Sequence, residues 1–480
     1  MIMGEEKVSE SRPNRLPKQD NFIEWYNALL DLAEIVDRSY PVKGTYVWLP
    51  YGIRIMKNIV AALDGIFKKN GIEEVLFPLF VPLQFAKIND KWFEGFKDEA
   101  FYVNDKELIL RPTGEPAMYP MFKLWIKRGK MPIRVYETVS SYRNESKTTH
   151  SMIRDREIGF WHEIHTVHKT REEAVKESQL HKEIYTFVWK ELLNIPPICV
   201  AKPRYELFAG ADSSFEFYNI LPDGKLLENG SINNLGQAYA RKFELTYIDE
   251  AGNKQYMWQM CTGNGARFLA AVIAVHGDAK GLVLPPRIAP IDIVIIPIIK
   301  TETKNKIENE VSNLVARLTD SGIKTYADLS EITAGEKFNL WDLKGVPIRI
   351  EVGEKETDGD AYTVFRRDLN KKEKVEKTKL IETLQKLLAE EIPNVLLEKA
   401  AKVRDEKIKF AETMDAASDL IQKGSIAKAN WCESEECFEK MAALGPSIEA
   451  IGTLTEEKKE GKCIVCGKKT NLLTLIGKTY

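Results

Sequence analysis

Between Pro132 and His168 the chain reads PIRVYETVSSYRNESKTTHSMIRDREIGFWHEIHTVH, and no other stretch limits the fold as much. Ile133, Val135 and Val139, then Arg143 and Glu145, share one face of an extended strand, because strand side chains alternate with period two. Ser146 to Met152 has no hydrophobic period and reads as an exposed loop. Alternation resumes at Glu157 and places Glu157, Trp161, Glu163 and His165 on one face. The expected product is an antiparallel pair that displays an arginine, carboxylates, an aromatic ring and a histidine together. A solvated face is the plain alternative, but Trp161 and His165 are poor choices for it.

The rest of the chain supplies a scaffold. A length of 480 residues suits about two to four domains. Helical spacing covers Phe22 to Val36 and Pro50 to Asn70, the latter with a stripe of Ile55, Ile59, Leu63, Ile66 and Phe67. Glu74 to Pro82 reads as a strand, and Tyr119 to Lys130 and Glu172 to Leu193 as helices. Strands are expected over Glu206 to Ile220 and Lys225 to Asn233, with two more within Ala240 to Tyr256. Ala266 to Val275 is an apolar helix. A proline-bearing connector, Gly281 to Pro290, leads into alternating strand and helix, the pattern of a small α/β module. A charged helical region from Lys371 to Ala416 follows. The expected modules are residues 21–287, 288–395 and 396–480, after a disordered tail over 1–20.

The net charge of -2 carries no global basic signature, so a nucleic-acid partner would be met by local patches. No apolar run approaches the ~20 residues of a membrane span, and the polar start lacks a secretory apolar region, so a cytoplasmic protein is expected. Cys199 and Cys261 stand alone and read as small buried residues. Cys432, Cys437, Cys463 and Cys466 form C-x4-C and C-x2-C pairs, which in a cytosolic chain read as metal ligands. Four thiolates suit a closed, structural zinc site.

Two motif readings fail. HEIHTVH has Thr166 where a zincin helix needs its second histidine, and no P-loop is present. What is left is a set of arginines, Arg143, Arg154, Arg156 and Arg267, whose forks suit phosphate. YRNE at Tyr142–Glu145 resembles the second signature motif of class II aminoacyl-tRNA synthetases. The segment ending at Phe77-Pro78 resembles the first motif, and TGNGAR at Thr262–Arg267 the third. YPVKGTYVWLPYG, LRPTGEPAMYPMFKLW, IRDREI, NNLGQ, HGDAKGLVLPP, KGVPIRIEVG, FRRD, WCESEECF, CIVC and the terminal Lys478-Thr479-Tyr480 are similar to the archaeal/eukaryotic type of prolyl-tRNA synthetase.

The resemblance implies an α+β catalytic domain on a six- or seven-stranded antiparallel sheet, an α/β anticodon-binding domain and a zinc-bearing C-terminal domain. It implies a homodimer that uses ATP with magnesium to activate an amino acid, proline first, and then charges tRNA. By position, Arg143 and Arg267 are the catalytic arginines. Glu145, Arg154, Glu228, Ser231 and Gly265 join them around ATP. Thr113, Glu115, Arg143, Trp161, Glu163, His165, Asn233, Cys261 and Gly263 line the amino-acid pocket, and Lys337, Arg366 and Arg367 face tRNA.

Some matching positions depart from the family pattern. Ser231-Ile232-Asn233 replaces a run ending in histidine, Glu228 a glutamine and Thr262 an aromatic residue. Asn264-Gly265-Ala266 and Gly210 to Ser214 differ as well. Loss of two aromatics implies a larger or more polar pocket. Ser330, Thr333 and Glu336 depart in the anticodon block. A paralogue serving another amino acid, tRNA or acceptor, and a non-catalytic tRNA-binding protein, are the alternatives on sequence.

Overall fold

The two strands of the expected hairpin lie inside a much wider sheet. The computed structural model describes residues 16–19, 21–208 and 210–480. Strands β1 (Glu73–Glu74), β2 (Ile133–Tyr142), β3 (Glu157–His168), β4 (Ile198–Ala201), β5 (Ser213–Ile220), β6 (Leu226–Gly236) and β7 (Trp258–Asn264) stand in the order β4-β5-β6-β7-β3-β2-β1. All neighbours are antiparallel except β1, which runs parallel to β2.

The helices that matter to the site are α1 (Phe22–Leu32), α2 (Pro50–Lys69), α3 (Glu115–Lys127), α4 (Arg171–Phe187) and α5 (Arg267–His276). Even-numbered strand residues Tyr136, Ile164, Ile232 and Met260 pack into one core with residues of α1, α2, α4 and α5. The stripe expected on α2 is borne out by buried Ile55, Ile59, Leu63 and Phe67. That burial frees the odd-numbered side chains of the central strands for the opposite face.

Local chemistry moved several boundaries. Glu74 to Pro82 is not one strand: β1 ends early, and Phe80–Pro82 pairs separately with Leu108–Leu110, with Pro78 between. α3 starts at Glu115 rather than Tyr119, because Pro116 fits a first helical turn, where its missing N–H has no intrahelical partner to lose. Ala238–Phe243 is helical, and only Thr246–Ile248 and Lys254–Tyr256 form the hairpin expected there. Most of the tail expected over 1–20 lies outside the described residues. Within it, Leu16 packs on the core and the Gln19 amide donates to the Gly277 carbonyl at 3.1 Å.

The middle module has β8 (Ile293–Pro297), β9 (Thr325–Ala327), β10 (Ile348–Val352), β11 (Ala361–Arg366) and β12 (Lys371–Glu376), ordered β9-β8-β10-β11-β12. Lys371 thus opens a strand, and the charged helices begin at Leu380. The C-terminal segment contributes β13 (Ile408–Phe410), β14 (Ile426–Asn430), β15 (Ile448–Leu454) and β16 (Leu473–Lys478). β15 pairs with β4 through Thr453–Ala201 and Leu454–Val200, so the central sheet runs on into the tail as one sheet of 11 strands. Tyr480 closes the join: its N–H donates to the Leu226 carbonyl at 3.1 Å and its hydroxyl to Asp223 at 2.6 Å.

Candidate active site

Register brings the polar residues together. Glu137 lies opposite Glu163 and Val135 opposite His165 across β2 and β3, while Cys261 and Gly263 of β7 lie opposite His165 and Glu163. Ser231 and Asn233 of β6 pair in turn with Gly263 and Cys261. Facing partners share a sheet side, so one surface carries Glu137, Glu163, His165, Cys261, Asn233 and Ser231.

The α3 entry completes a buried cluster over this surface. Thr113 Oγ1 donates to Glu115 Oε2 at 2.7 Å and lies 3.2 Å from Glu163 Oε2, which also accepts the Gly114 N–H at 2.9 Å. A Cβ on Gly114 would stand 2.8 Å from Glu163 Oε1, so any side chain here would have to displace the Glu163 carboxylate. His165 Nε2 lies 3.3 Å from Glu163 Oε2, and its Nδ1 is 3.0 Å from the Tyr119 hydroxyl. Burial opposes ionisation of Glu163, but the His165 contact, the His165 and Arg111 charges and the Gly114 N–H hold its carboxyl well below the usual range. Burial likewise opposes a proton on His165; its Glu163 hydrogen bond and the Glu115 charge outweigh that and raise it. Burial pushes the Glu115 carboxyl up, with His165 opposing.

Beneath the cluster Arg111 Nη1 bonds Glu137 Oε1 at 2.6 Å, both side chains being 0% exposed, and the Phe77 N–H donates to Glu137 Oε2 at 2.9 Å. Arg111, Glu137 and Tyr119 were missed as site residues on sequence. The available signal was Glu137 itself, a carboxylate that shares the parity of Ile133, Val135 and Val139 in an otherwise apolar face.

The arginines stand at one end of the same surface. Trp161 lies flat on the sheet, and a Cβ on Gly263 would come within 2.7 Å of its ring. The Arg143 guanidinium sits 5.2 Å from the Trp161 ring centre and 5.5 Å from Phe96, with Nε donating to the Pro112 carbonyl at 3.3 Å. Arg267, first residue of α5, donates through Nε to the Ile153 carbonyl at 2.9 Å and through Nη1 to Glu228 Oε2, also at 2.9 Å. Burial is the main influence lowering the Arg143 pKa, opposed by Glu99 and reinforced by the Arg267 charge. Arg143 and Arg154 make no ion pair among the described residues. The Glu145 carbonyl accepts from Arg156 Nε and Nη2 at 3.2 and 2.9 Å. Gly265 leaves room beside Trp161.

Three expectations about this surface need correction. Glu157 is not on the Trp161 face: a bulge between Val139 and Ser141, with Phe160 at φ 55°, shifts the parity, and Glu157 meets the Tyr142 hydroxyl at 3.3 Å on the other side. The joining loop is only partly exposed, since Met152 and Ile153 enter the core and buried Asp155 accepts the Met152 N–H and the Tyr46 hydroxyl. Thr262 lies opposite Ile164 and bonds the Tyr185 hydroxyl at 3.0 Å beneath the sheet, so it does not enlarge the pocket.

In the tail, Cys432 Sγ lies 3.6 Å from Cys437 and 3.7 Å from Cys466, and Cys463 lies 3.9 Å from Cys437. A tetrahedral zinc with bonds of about 2.3 Å spaces its sulfurs about 3.8 Å apart, so the four side chains fit that ion.

Residues 96–276 match the model of the tRNA synthetase class II core domain (G, H, P, S and T), and residues 292–387 that of the anticodon binding domain. Residues 414–480 match the prolyl-tRNA synthetase C-terminal model. A proline--tRNA ligase of Methanopyrus kandleri is 37% identical over 468 residues, 96% of this chain and 96% of its own length. The chain belongs to the prolyl-tRNA synthetase family. Another member, from Thermococcus kodakarensis, is 37% identical over 474 residues, 96% of this chain and 98% of its own. The solved Giardia lamblia prolyl-tRNA synthetase in complex with prolyl-adenylate has a TM-score of 0.91 and 30% identity, covering 96% of this chain and 99% of that one.

For a prolyl-tRNA synthetase family member the expected tRNA-facing cations are oddly placed. Lys337, Arg366 and Arg367 are all buried. Lys337 Nζ donates to the Asp328 carbonyl at 2.8 Å, Arg366 pairs with Asp368 and Glu391, each at 2.9 Å, and Arg367 forks onto Asp278 at 2.6 and 2.7 Å. Their charge is neutralised inside the protein, so they brace the module rather than offer an RNA surface. The departures nearby have structural work as well: Thr333 and Glu336 form a capping box on the helix Ala334–Leu343, and Ser330 donates to Asp328.

Proposed function

We propose that the chain activates L-proline with ATP and transfers it to tRNA. The observation that carries this reading is the contiguity of two chemistries on one sheet surface: a buried anionic cradle at Thr113, Glu115, Glu163 and His165, and ion-pair-free Arg143 at its rim over Trp161. The cradle would hold the substrate's cationic nitrogen and direct its carboxylate toward the arginines. A carboxylate oxygen attacks the α-phosphorus, the bond to the leaving oxygen breaks, and pyrophosphate departs. A tRNA hydroxyl then attacks the carbonyl and AMP leaves. Arg143 would hold the α-phosphate and Arg267 the γ-phosphate, with Glu145, Arg154, Glu228, Ser231 and Gly265 around the nucleotide. Positioned charge serves the in-line transition state better than a strong base would. Magnesium, arriving with ATP, would neutralise the departing phosphates.

The pocket wall favours proline over a more polar amino acid. Asn233, in place of the family's histidine, accepts from Ser214 at 2.6 Å and donates to Ser231 at 3.0 Å. Both ends of the amide are thus satisfied before a substrate arrives, and an apolar ring beside it strands no buried polar group. Pyrophosphate exchange across an amino-acid panel without tRNA tests the reading. Exchange with proline is expected, and exchange with another amino acid but not proline would overturn it.

The remaining assignments rest on the same reading. Catalytic, anticodon-binding and C-terminal domains are proposed over 21–287, 288–395 and 396–480, with zinc on the four tail cysteines and a cytoplasmic site of action. Among the described residues no helix is long and apolar enough to cross a membrane. A homodimer is supported by Leu76 and Phe80, which are 80% and 55% exposed in the first-motif segment; light scattering at the monomer mass would refute it.

A further inference from the structure

Glu115, His165 and Cys261 bring a carboxylate oxygen, an imidazole nitrogen and a thiol sulfur within 4.8 Å of one another, and all three are buried. The proposed reaction makes no use of the Cys261 sulfur. We propose that these side chains form a second metal site, for a thiophilic divalent cation of the zinc class, with its fourth position open to the amino-acid pocket.

Three observations support this. A mixed sulfur, nitrogen and oxygen set with one open position is a zinc-type arrangement. Cys261 Sγ lies 3.8 Å from Glu115 Oε1, against about 3.5 Å for the sulfur–oxygen edge of a tetrahedron with ordinary zinc bonds. Each ligand is also held from behind, as metal ligands are. Tyr119 takes His165 Nδ1, so Nε2, whose one contact is the long 3.3 Å approach to Glu163 Oε2, is the nitrogen a metal would take from that carboxylate; Thr113 takes Glu115 Oε2 and leaves Oε1, and the Asn233 amide points at the Cys261 sulfur from 3.9 Å. Binding requires a thiolate and a neutral imidazole.

A consequence rests on the amino-acid reading of the pocket: the cation takes the place of the substrate's ammonium group, so zinc and proline exclude each other. The experiment is metal counting on the full chain after zinc loading and gel filtration. With the tail cysteines also filled, wild type should hold about two ions per chain and Cys261→Ser about one. Cobalt loading should add a thiolate-to-metal absorption that the variant loses. Equal counts in both proteins overturn the site. Glu115→Gln, close in volume, guards against misfolding, which near-ultraviolet circular dichroism detects; a folded variant that keeps the second ion at wild-type affinity also overturns it. L-Proline should release one ion from wild type. Retention of both ions while enzyme loaded at the tail site alone still activates proline overturns the exclusion alone, whereas enzyme loaded at the tail site alone that activates no proline fails the functional reading and leaves the ion count standing.

Discussion

One sheet surface carries two differently built halves. The amino-acid half sits in the middle of β2, β3, β6 and β7, is buried, and has its carboxylates and histidine already tied to protein groups. The nucleotide half sits on a strand end, a loop and the first residue of α5; Arg143 leans on aromatic rings and a backbone carbonyl, and Arg267 on a backbone carbonyl and Glu228. Interior charges need partners to be tolerated at all, so the first half is bound up with stability. Arg143 and Arg154 have no carboxylate partner among the described residues, so the second half keeps donors with which to serve a ligand. Variants in the two halves should therefore fail in different ways.

The largest effect is expected from Arg143→Ala, which should cut proline-dependent pyrophosphate exchange by about 10²–10³ or more with the melting temperature nearly unchanged. Exchange within tenfold of wild type would remove Arg143 from the phosphate. Arg111→Ala should do the reverse: a denaturant titration should register a loss of about 3–5 kcal/mol, because Glu137 is left buried without its partner. A wild-type midpoint would mean that Glu137 finds another partner and that the two halves do not differ as stated.

Thr262→Tyr sharpens the contrast further. Its side chain would press on Tyr185 beneath the sheet, so a stability loss of about 1–3 kcal/mol is expected from overpacking, with the KM for proline unmoved. A shifted KM would return position 262 to the pocket.

The smallest effect concerns the loop under Arg154. Burial pushes the Asp155 carboxyl up to about 8, despite the Tyr46 and Met152 hydrogen bonds. A folded-state pKa above the unfolded value stabilises fully at pH below the unfolded carboxyl value and is lost as pH rises through about 8. Hydrogen exchange of the Met152 amide, corrected for intrinsic rates, should accelerate across that window, and Asp155→Asn should flatten the rise. The β3 amides in the amino-acid half should not respond.

Much of this was legible in the sequence, and the failures have physical causes. Alternation located β2 and β3, and α2 follows its stripe. Alternation counts residues, however, and the bulge at Phe160 spends one residue without advancing the register, which is why Glu157 went to the wrong side. Thr262 was misplaced because a substitution does not declare its side of the sheet until neighbouring strands fix the register. Lys337, Arg366 and Arg367 looked like RNA contacts because sequence shows charge but not the Asp328, Asp368 and Asp278 groups that absorb it. The junction between β15 and β4 joins residues some 250 positions apart through backbone bonds, which leave no mark on side-chain pattern.

That junction also bears on truncation. β4, with Ile198 and Val200 buried, would become an unprotected sheet margin if the C-terminal segment were removed. Its bare N–H and C=O groups would then be a template for any extended chain that drifted past. The tail thus works as a cover against self-association, and a shortened enzyme would be expected to precipitate before its chemistry could be assayed.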